Sequence, residues 1–385
     1  MTGSPLGYLA LVPRMPSRAS LLAHAAVTTT AVVALGIAFQ PAHDGADGAD
    51  AQLAGAYQAE PRQLDRPPVG IDGESGREGA KDDDSRDALS PQPVARQVTI
   101  KRMSKKQRLA LAREQAEAAA REEMISTPAQ FTISSFNVLG SSHTSGGGSK
   151  GRMASGTTRI RTATQLLNVH GVDVVGFQEL QSDQYRAFLG ASGGAFAVYP
   201  GLAAGPSGVD NSIAWRRSEF TLKEAATVQI PYFDGRLRPM PYVLLEHNAT
   251  GRLAWFANFH NPATNSKRGN NDRHRAAAAA REVALANELH SRGGYPVFIT
   301  GDMNDREAYF CRMTSGAPMI AANGGSNNGG CAPPSRMPVD WIFGHQMVTF
   351  SNYVRDEGPL VRRTTDHPMI RADVTLDEQD GVPAG

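Results

Sequence analysis

RIRTATQLLNVHGVDVVGFQE, residues 159–179, predicts a helix followed directly by a strand. Within 159–170 the apolar side chains recur at helical spacing, at Ile160, Ala163 and Leu167. Gly171 stands where the C-terminal cap of a helix belongs, and the apolar run 173–179 is typical of a buried strand. The assignment of the fold depends on this helix–glycine–strand unit.

The same unit recurs later in the chain, among strands that have no helix between them. Residues 272–290 are alanine-rich and helical in pattern, and Gly293 and Gly294 separate them from the apolar run 295–302. Asn248–Gly251 forms a predicted hairpin loop between two further strands. The predicted strands outside the two units are FTISSFNVL (131–139), YVLLEH (242–247), RLAWFANFH (252–260), VDWIF (339–343) and MIRADVTL (369–376). This mixture predicts an α/β fold in which a two-sheet sandwich is covered by helices.

The composition excludes several classes of protein. The 385 residues carry a net charge of +1, from 39 Lys+Arg against 38 Asp+Glu, which excludes a strongly basic protein that wraps nucleic acid. Two cysteines exclude a disulfide-dense miniprotein and a four-thiolate zinc site. The average hides strong variation along the chain.

That variation predicts five segments. Residues 40–95 hold twelve acidic and five basic residues, and Tyr57 is the one aromatic residue between positions 40 and 128, which is typical of a disordered linker. Residues 101–124 are rich in helix formers and mildly basic, which favours a solvated helix. The segments are an N-terminal apolar segment (1–40), an acidic linker (41–100), a charged helix (101–128), a folded domain (129–377) and a flexible tail (378–385).

The apolar stretch 19–39 follows Arg14 and Arg18, an arrangement typical of a secretory signal or a signal anchor. Its length is just sufficient to span a bilayer. We therefore expect an extracellular or cell-envelope protein, either secreted or held at the membrane by this segment. The sequence leaves open whether the segment is cleaved.

Polar residues stand at the ends of the predicted strands. Groups at strand ends in sheet-containing enzymes can converge on one crevice. An isolated Asn or Asp at such a position is more often a turn former, so the significance lies in the whole series. The series is Asn137, Glu179, His260, Asp302, Asn304, Asp340, Asp366 and His367.

These residue types suit phosphodiester hydrolysis. Mg²⁺ prefers one or two carboxylates together with waters and phosphate oxygens, which Glu179, Asp366 and the amide oxygen of Asn137 can supply. The attacking water must lose a proton and the leaving oxygen must gain one. A histidine held by a carboxylate suits this task, and His367 with Asp340 is the candidate pair.

Six blocks of the sequence resemble the endonuclease/exonuclease/phosphatase family, which has the DNase I-like fold. They cover residues 129–377, stand in the order of the family, and are SFNVLG (135–140), FQEL (177–180), NFHNP (258–262), GDMND (301–305), VDWIF (339–343) and TDHPMI (365–370). The resemblance implies a four-layer α/β sandwich, in which helices flank two packed mixed sheets. It also implies a metal-dependent hydrolase of phosphoric esters that uses Mg²⁺, with Mn²⁺ or Ca²⁺ as alternatives.

The resemblance also implies roles for individual residues. Asn137, Glu179 and Asp366 resemble the residues around the metal. His260 resembles the histidine that contacts phosphate, and Asn304 the asparagine that donates to it. The general base remains open between Asp302 and the His367–Asp340 pair. Asn211 lies near the place of a further phosphate contact in the family.

The substrate is less well defined by the sequence. We expect a monomeric nuclease acting on DNA or RNA, with a phosphomonoesterase or phospholipid phosphodiesterase of sphingomyelinase-like or inositol-phosphatase-like type as the alternative. A non-catalytic envelope binding module is a second alternative, although no catalytic residue is missing. Residues 129–377 hold 24 basic and 20 acidic residues, a net charge of +4 that tolerates nucleic acid without requiring it. Six cations could contact a phosphate backbone or form a solvated rim: Arg236, Arg238, Lys267, Arg268, Arg273 and Arg275.

Two loops complete the predictions. Cys311 and Cys331 lie between two of the family blocks, and an exported protein can keep a disulfide there, as secreted DNase I-like nucleases do in a similar interval. The alternative is two free thiols. The Gly- and Ser-rich loop 140–152 is expected to be a flexible surface loop, although it could cradle phosphate.

Overall fold

The computed structural model describes residues 103–377 and 380–382. The predicted apolar segment and acidic linker lie outside this part of the chain. Among the described residues, no helix combines the length and apolar character needed to cross a bilayer.

The described chain alternates strands with helices on both sides of a sandwich. The helices are α1 (Lys105–Ser126), α2 (Gly156–Val169), α3 (Ser182–Ser192), α4 (Gly205–Gly208), α5 (Asp272–Ser291), α6 (Glu307–Gly316) and α7 (Pro359–Thr364). The strands are β1 (Ala129–Asn137), β2 (Val174–Gln178), β3 (Phe196–Tyr199), β4 (Ile213–Arg216), β5 (Phe220–Pro231), β6 (Leu237–His247), β7 (Leu253–His260), β8 (Val297–Asp302), β9 (Met319–Ala321), β10 (Asp340–His345), β11 (Thr349–Asp356) and β12 (Met369–Leu376).

These strands form two six-stranded sheets, so the predicted fold class is confirmed. The first sheet has the order β11-β12-β1-β2-β4-β3 and the second has the order β5-β6-β7-β8-β10-β9. Each sheet contains one parallel pair, β1 with β2 and β7 with β8, and the other pairings are antiparallel. Helices α2 and α5 connect these parallel pairs, and they correspond to the two helix–glycine–strand units of the sequence.

Three apolar layers separate the four layers of the sandwich. Between the sheets, the ring of Phe131 meets those of Phe256 and Phe298 at centroid distances of 5.9 Å and 5.6 Å. A second cluster packs α2 and α3 on the first sheet, and a third packs α5 and α6 on the second. Burial of these layers is the main stabilising contribution to the fold.

The two sheets approach closely beneath the site. A Cβ atom on Gly176 would lie 2.0 Å from Oγ1 of Thr300, so only glycine fits there. Asn258 joins the sheets, because its Oδ1 accepts a hydrogen bond from Nε2 of Gln178 at 2.7 Å and its Nδ2 donates to the Phe177 carbonyl at 2.7 Å. This buried polar contact fixes the ends of β2 and β7 relative to each other.

Some boundaries differ from the predictions. Helix α2 begins at Gly156 rather than 159, because the Ser155 hydroxyl accepts a hydrogen bond from the amide of Thr158 and caps the helix. Residues 380–382, predicted to belong to a flexible tail, lie against β7, where the amide of Leu253 donates to the Gly381 carbonyl at 2.7 Å. The amides at the start of β7 need partners, and the end of the chain supplies one.

Candidate active site

The polar strand ends lie side by side at one edge of the sandwich. In the first sheet Asn137 is paired in register with Gln178, the residue before Glu179. In the second sheet His260 is paired with Asp302, which in turn is paired with Asp340. This shared register brings the ends of β1, β2, β7 and β8 and the start of β10 into one crevice.

Asp302 is the centre of the buried half of the site, with its side chain 2% exposed. Its Oδ1 accepts a hydrogen bond from the amide of Asn304 at 3.0 Å. Its Oδ2 lies 3.6 Å from Nε2 of His260 and 3.6 Å from Nε2 of His367. Burial and the neighbouring carboxylate of Asp340 raise the pKa of Asp302, and the two imidazoles oppose that rise.

The predicted Asp–His pair is present. Nδ1 of His367 lies 3.0 Å and 3.1 Å from the two carboxylate oxygens of Asp340. Burial alone would lower the pKa of His367, but the charge and hydrogen bond of Asp340 raise it to about 10. His367 is therefore an imidazolium at neutral pH, with Nδ1 held by Asp340 and Nε2 directed towards Asp302.

His260 differs from His367, because its surroundings favour the neutral imidazole. It is buried, and burial lowers its pKa despite the nearby carboxylates of Asp302 and Glu179. Its Nδ1 has no hydrogen-bond partner among the described residues. A neutral imidazole with an unpaired nitrogen is available for a ligand.

Glu179 forms the more open half of the site, with its side chain 22% exposed. It follows β2 with a φ of 60°, which turns its carboxylate towards the end of β1. Oε2 accepts from the amide of Gly140 at 2.9 Å, and Oε1 accepts from Nδ2 of Asn137 at 3.1 Å. Burial would raise the pKa of Glu179, but hydrogen bonds from His143, Gly140 and Asn137 lower it overall, so the carboxylate stays ionised.

Asn137 connects the two halves. Its Nδ2 donates to Asp302 Oδ2 at 3.1 Å as well as to Glu179, and its Oδ1 accepts from the amide of Leu139 at 3.0 Å. We predicted its amide oxygen as a metal ligand. In the structure the nitrogen faces the carboxylates instead, because two acceptors on that side attract a donor, so Asn137 bridges them.

The loop 140–152, expected to be a flexible surface loop, brings two basic side chains to the site. Nε2 of His143 lies 3.2 Å from Oε2 of Glu179, and Nζ of Lys150 lies 3.1 Å from Oδ2 of Asp366. The amide of Lys150 donates to the His143 carbonyl at 2.8 Å, which holds both side chains in one turn. No motif marks either residue in the sequence, although cations in a loop between two site blocks are a usable signal.

Arg159 was also missed. It is 1% exposed, and its guanidinium donates to the carbonyls of Val138 at 2.7 Å, Leu139 at 2.6 Å and Thr364 at 2.9 Å. One side chain therefore ties the chain after Asn137 to the chain before His367. Its position on the buried face of α2, between apolar residues, could have identified it.

The two remaining asparagines differ in their contacts. Nδ2 of Asn304 donates to the Asn261 carbonyl at 2.9 Å, and its φ is 49°. Asn211 is fully buried, and neither of its side-chain polar atoms has a partner among the described residues. A buried amide without partners is costly unless a ligand satisfies it, which suits the predicted phosphate contact.

The residues present fit a hard divalent cation. Glu179 remains ionised and is partly exposed, so its carboxylate can accept such a cation. Among the described residues, ligand atoms of Asp302, Asp340 and His367 also lie within 4.8 Å of one another. Neither Glu179 nor Asp366 belongs to that second group, whose contacts are explained by the Asp340–His367 hydrogen bond.

Cys311 and Cys331 form a disulfide, as predicted from the resemblance. The bond joins α6 to the loop that leads into Asp340. It therefore supports the buried half of the site from outside.

Comparisons with known proteins agree with this fold. The model of the endonuclease/exonuclease/phosphatase family matches residues 134–367. An endonuclease/exonuclease/phosphatase family protein from Bacteroides thetaiotaomicron has a similar fold, with a TM-score of 0.51 and 16% identity over 65% of this chain and 99% of that chain. The endonuclease/exonuclease/phosphatase from Bacteroides vulgatus gives a TM-score of 0.52 and 16% identity over 65% and 100%. A comparison with curated proteins gives no significant match.

Proposed function

Because the chain belongs to the endonuclease/exonuclease/phosphatase family and is therefore a metal-dependent hydrolase of phosphoric esters, we propose that it is an exported, Mg²⁺-dependent nuclease. The observation that carries this proposal is the position of the Asp302 carboxylate, whose Oδ2 lies 3.6 Å from Nε2 of both His260 and His367. A buried carboxylate beside an acid and a neutral histidine suits the two proton transfers of phosphodiester hydrolysis.

The residues divide the reaction between them. The Asp302 carboxylate accepts a proton from the attacking water as the new P–O bond forms. The His367 imidazolium gives its proton to the leaving oxygen as the old P–O bond breaks, while Asp340 keeps the ring in place. We therefore propose Asp302 as the general base, because Asp340 raises the pKa of His367 to about 10 and so favours its protonated form at neutral pH.

The neutral residues bind and orient the phosphate. Nδ2 of Asn211 can donate to a phosphate oxygen, and so can Nδ1 of His260 in the tautomer that carries its proton there. Glu179, beside the Asn137 bridge, would hold the metal ion, which when bound would neutralise the charge that develops on the phosphate.

Export is supported by two features of the chain. The apolar stretch 19–39 with its basic flank is typical of a signal, and the Cys311–Cys331 disulfide suits an oxidising compartment. We propose that the protein acts as a monomer outside the cell or at the envelope. If the N-terminal segment is retained, it attaches the enzyme to the membrane.

Plasmid nicking tests the proposal. The full chain is incubated with supercoiled plasmid in Mg²⁺ or in EDTA, beside the His367→Ala variant. Nicking that requires both Mg²⁺ and His367 is the expected result. A folded protein that leaves the plasmid intact, but hydrolyses a lipid or sugar phosphate, would move the assignment to the phosphomonoesterase or phospholipid alternative.

A further inference from the structure

A continuous row of flat and cationic side chains leads away from His260. We call it the hairpin rim. It consists of Tyr232, Phe233 and Arg236 from the turn between β5 and β6, and of Lys267 and Arg268 from the loop between β7 and α5. None of these residues takes part in the chemistry described above.

The rim begins in contact with the site. The ring of Tyr232 meets the ring of His260 at a centroid distance of 5.9 Å and an angle of 73°. The ring of Phe233 follows at 4.5 Å from that of Tyr232. The guanidinium carbon of Arg268 then lies 5.3 Å from the centroid of Phe233. The side chains of Tyr232, Phe233 and Arg268 therefore form a contiguous row that starts at His260.

The rim is held in a fixed conformation. Nη1 of Arg268 lies 3.2 Å from Oδ2 of Asp234, which keeps the guanidinium over the Phe233 ring. The Asn265 side chain accepts from the amides of Lys267 at 3.0 Å and Arg268 at 2.9 Å. A Cβ atom on Gly235 would lie 3.1 Å from the His274 ring, so the hairpin turn rests on the start of α5.

The outer surface of the rim is cationic and open. The Arg268 side chain is 52% exposed although one of its faces covers Phe233. Arg236 and Lys267 are exposed, and no carboxylate of the described residues pairs with either of them. A guanidinium held flat with one face open offers a stacking surface, and free cations beside it suit phosphates.

We propose that the hairpin rim binds a single-stranded nucleic acid, with an unpaired base stacked on the open face of Arg268, whose other face covers Phe233, and with the flanking phosphates near Arg236 and Lys267. This rests on the proposed nuclease function and names the form of its substrate. A base in a duplex keeps both faces covered by its neighbours, so the platform favours an unstacked strand.

Binding in EDTA tests the rim separately from cleavage. Two labelled oligomers of equal length are titrated with the full chain and followed by fluorescence anisotropy: an oligothymidylate and an abasic oligomer. The variants are Arg268→Ala and Phe233→Leu, which removes the flat ring and keeps apolar bulk. Arg292→Ala is the matched control, because Arg292 lies 4.7 Å from the centroid of Trp255 and pairs with Glu224 at the other end of β7.

The rim variants are expected to weaken binding of oligothymidylate by about fivefold to a hundredfold, the usual contribution of one stacked base, and to leave abasic binding unchanged. Arg292→Ala should match the wild type. Equal losses on both oligomers, no loss on either, or preferential binding to anionic phosphatidylglycerol vesicles that depends on Arg268 would each overturn the proposal. If binding depends on the base but Mg²⁺ produces no cleavage, the proposed nuclease function is wrong and the role of the rim is supported. If Mg²⁺ produces cleavage but binding does not depend on the base, the nuclease function is supported and the role of the rim is wrong.

Discussion

Glu179 and Asp302 lie on either side of Asn137, yet their surroundings differ. Glu179 is partly exposed, receives a backbone amide and a cationic side chain from loops of the first sheet, and has a lowered pKa. Asp302 is buried on a strand of the second sheet, faces a second carboxylate, and has a raised pKa. Two carboxylates on one amide thus have different tasks: the first suits a permanent charge beside a metal, and the second suits a group that gains and loses a proton.

Substitutions in the buried half should have the largest effect on rate. Asp302→Ala or His367→Ala should lower kcat by on the order of 10²-fold or more, because each removes a group that moves a proton in the transition state. The half-saturating Mg²⁺ concentration measured by activation should stay nearly constant for His367→Ala. Retention of full rate by a folded His367→Ala protein would contradict the mechanism.

Glu179→Gln should change the Mg²⁺ requirement of the enzyme more than its rate at saturating Mg²⁺. Loss of the charge should raise the half-saturating Mg²⁺ concentration by roughly tenfold or more, the size usually found when a metal site loses a partner. Much of the rate should return at high Mg²⁺. A fall in kcat that excess Mg²⁺ does not reverse would contradict the different roles of Glu179 and Asp302.

His143→Ala should have a smaller effect of the same kind. His143 is 44% exposed, so its contact with Glu179 is screened by solvent, and we expect a shift in Mg²⁺ activation of about threefold. The matched control is His170→Ala, since Nε2 of His170 lies 3.5 Å from Oδ2 of Asp356 in a similar histidine–carboxylate contact beside the first sheet. An equal shift in both variants would exclude a specific role for His143.

The two halves should also lose stability at opposite ends of the pH scale. The pKa of Glu179 is lowered on folding, so its contribution is present above the ordinary value of 4.5 and is lost as the pH falls below it. The pKa of His367 is raised, so its contribution is complete below 6.5 and is lost as the pH rises to about 10. In thermal melts in EDTA, the His367→Ala variant should have a lower Tm than the wild type at acidic and neutral pH. The difference in Tm between the two proteins should become smaller only as the pH rises towards about 10.

Reduction of the disulfide should change the rate least. Opening the loop between Cys311 and Cys331 should lower the free energy of unfolding by about 3 kcal/mol, from the entropy of the loop. A lower Tm with nearly unchanged kcat is expected, because the bond supports Asp340 from outside the site. An unchanged Tm after reduction would exclude this stabilising role.

The strands that could be predicted from the sequence are those with a continuous apolar run or with a polar block at the end. These strands carry the residues of the site. The sequence did not predict β5, because this edge strand is largely exposed and lacks an apolar run. The bridging role of Asn137 could not be predicted either, since the direction of an amide depends on partners distant in the chain. Arg159 was predictable in principle from its place on the buried face of α2, whereas the contact of His143 with Glu179 requires the folded loop.

The pairing of the first and last strands of the domain has a consequence for when the enzyme can act. Ser134 of β1 donates to the Ile370 carbonyl of β12 at 2.8 Å across 236 positions, and His367 directly precedes β12. The proposed proton donor therefore reaches Asp302 only after the last strand of the domain has paired with the first. A nascent or partly folded chain contains the general base without its acid, so catalytic activity appears only with completed folding.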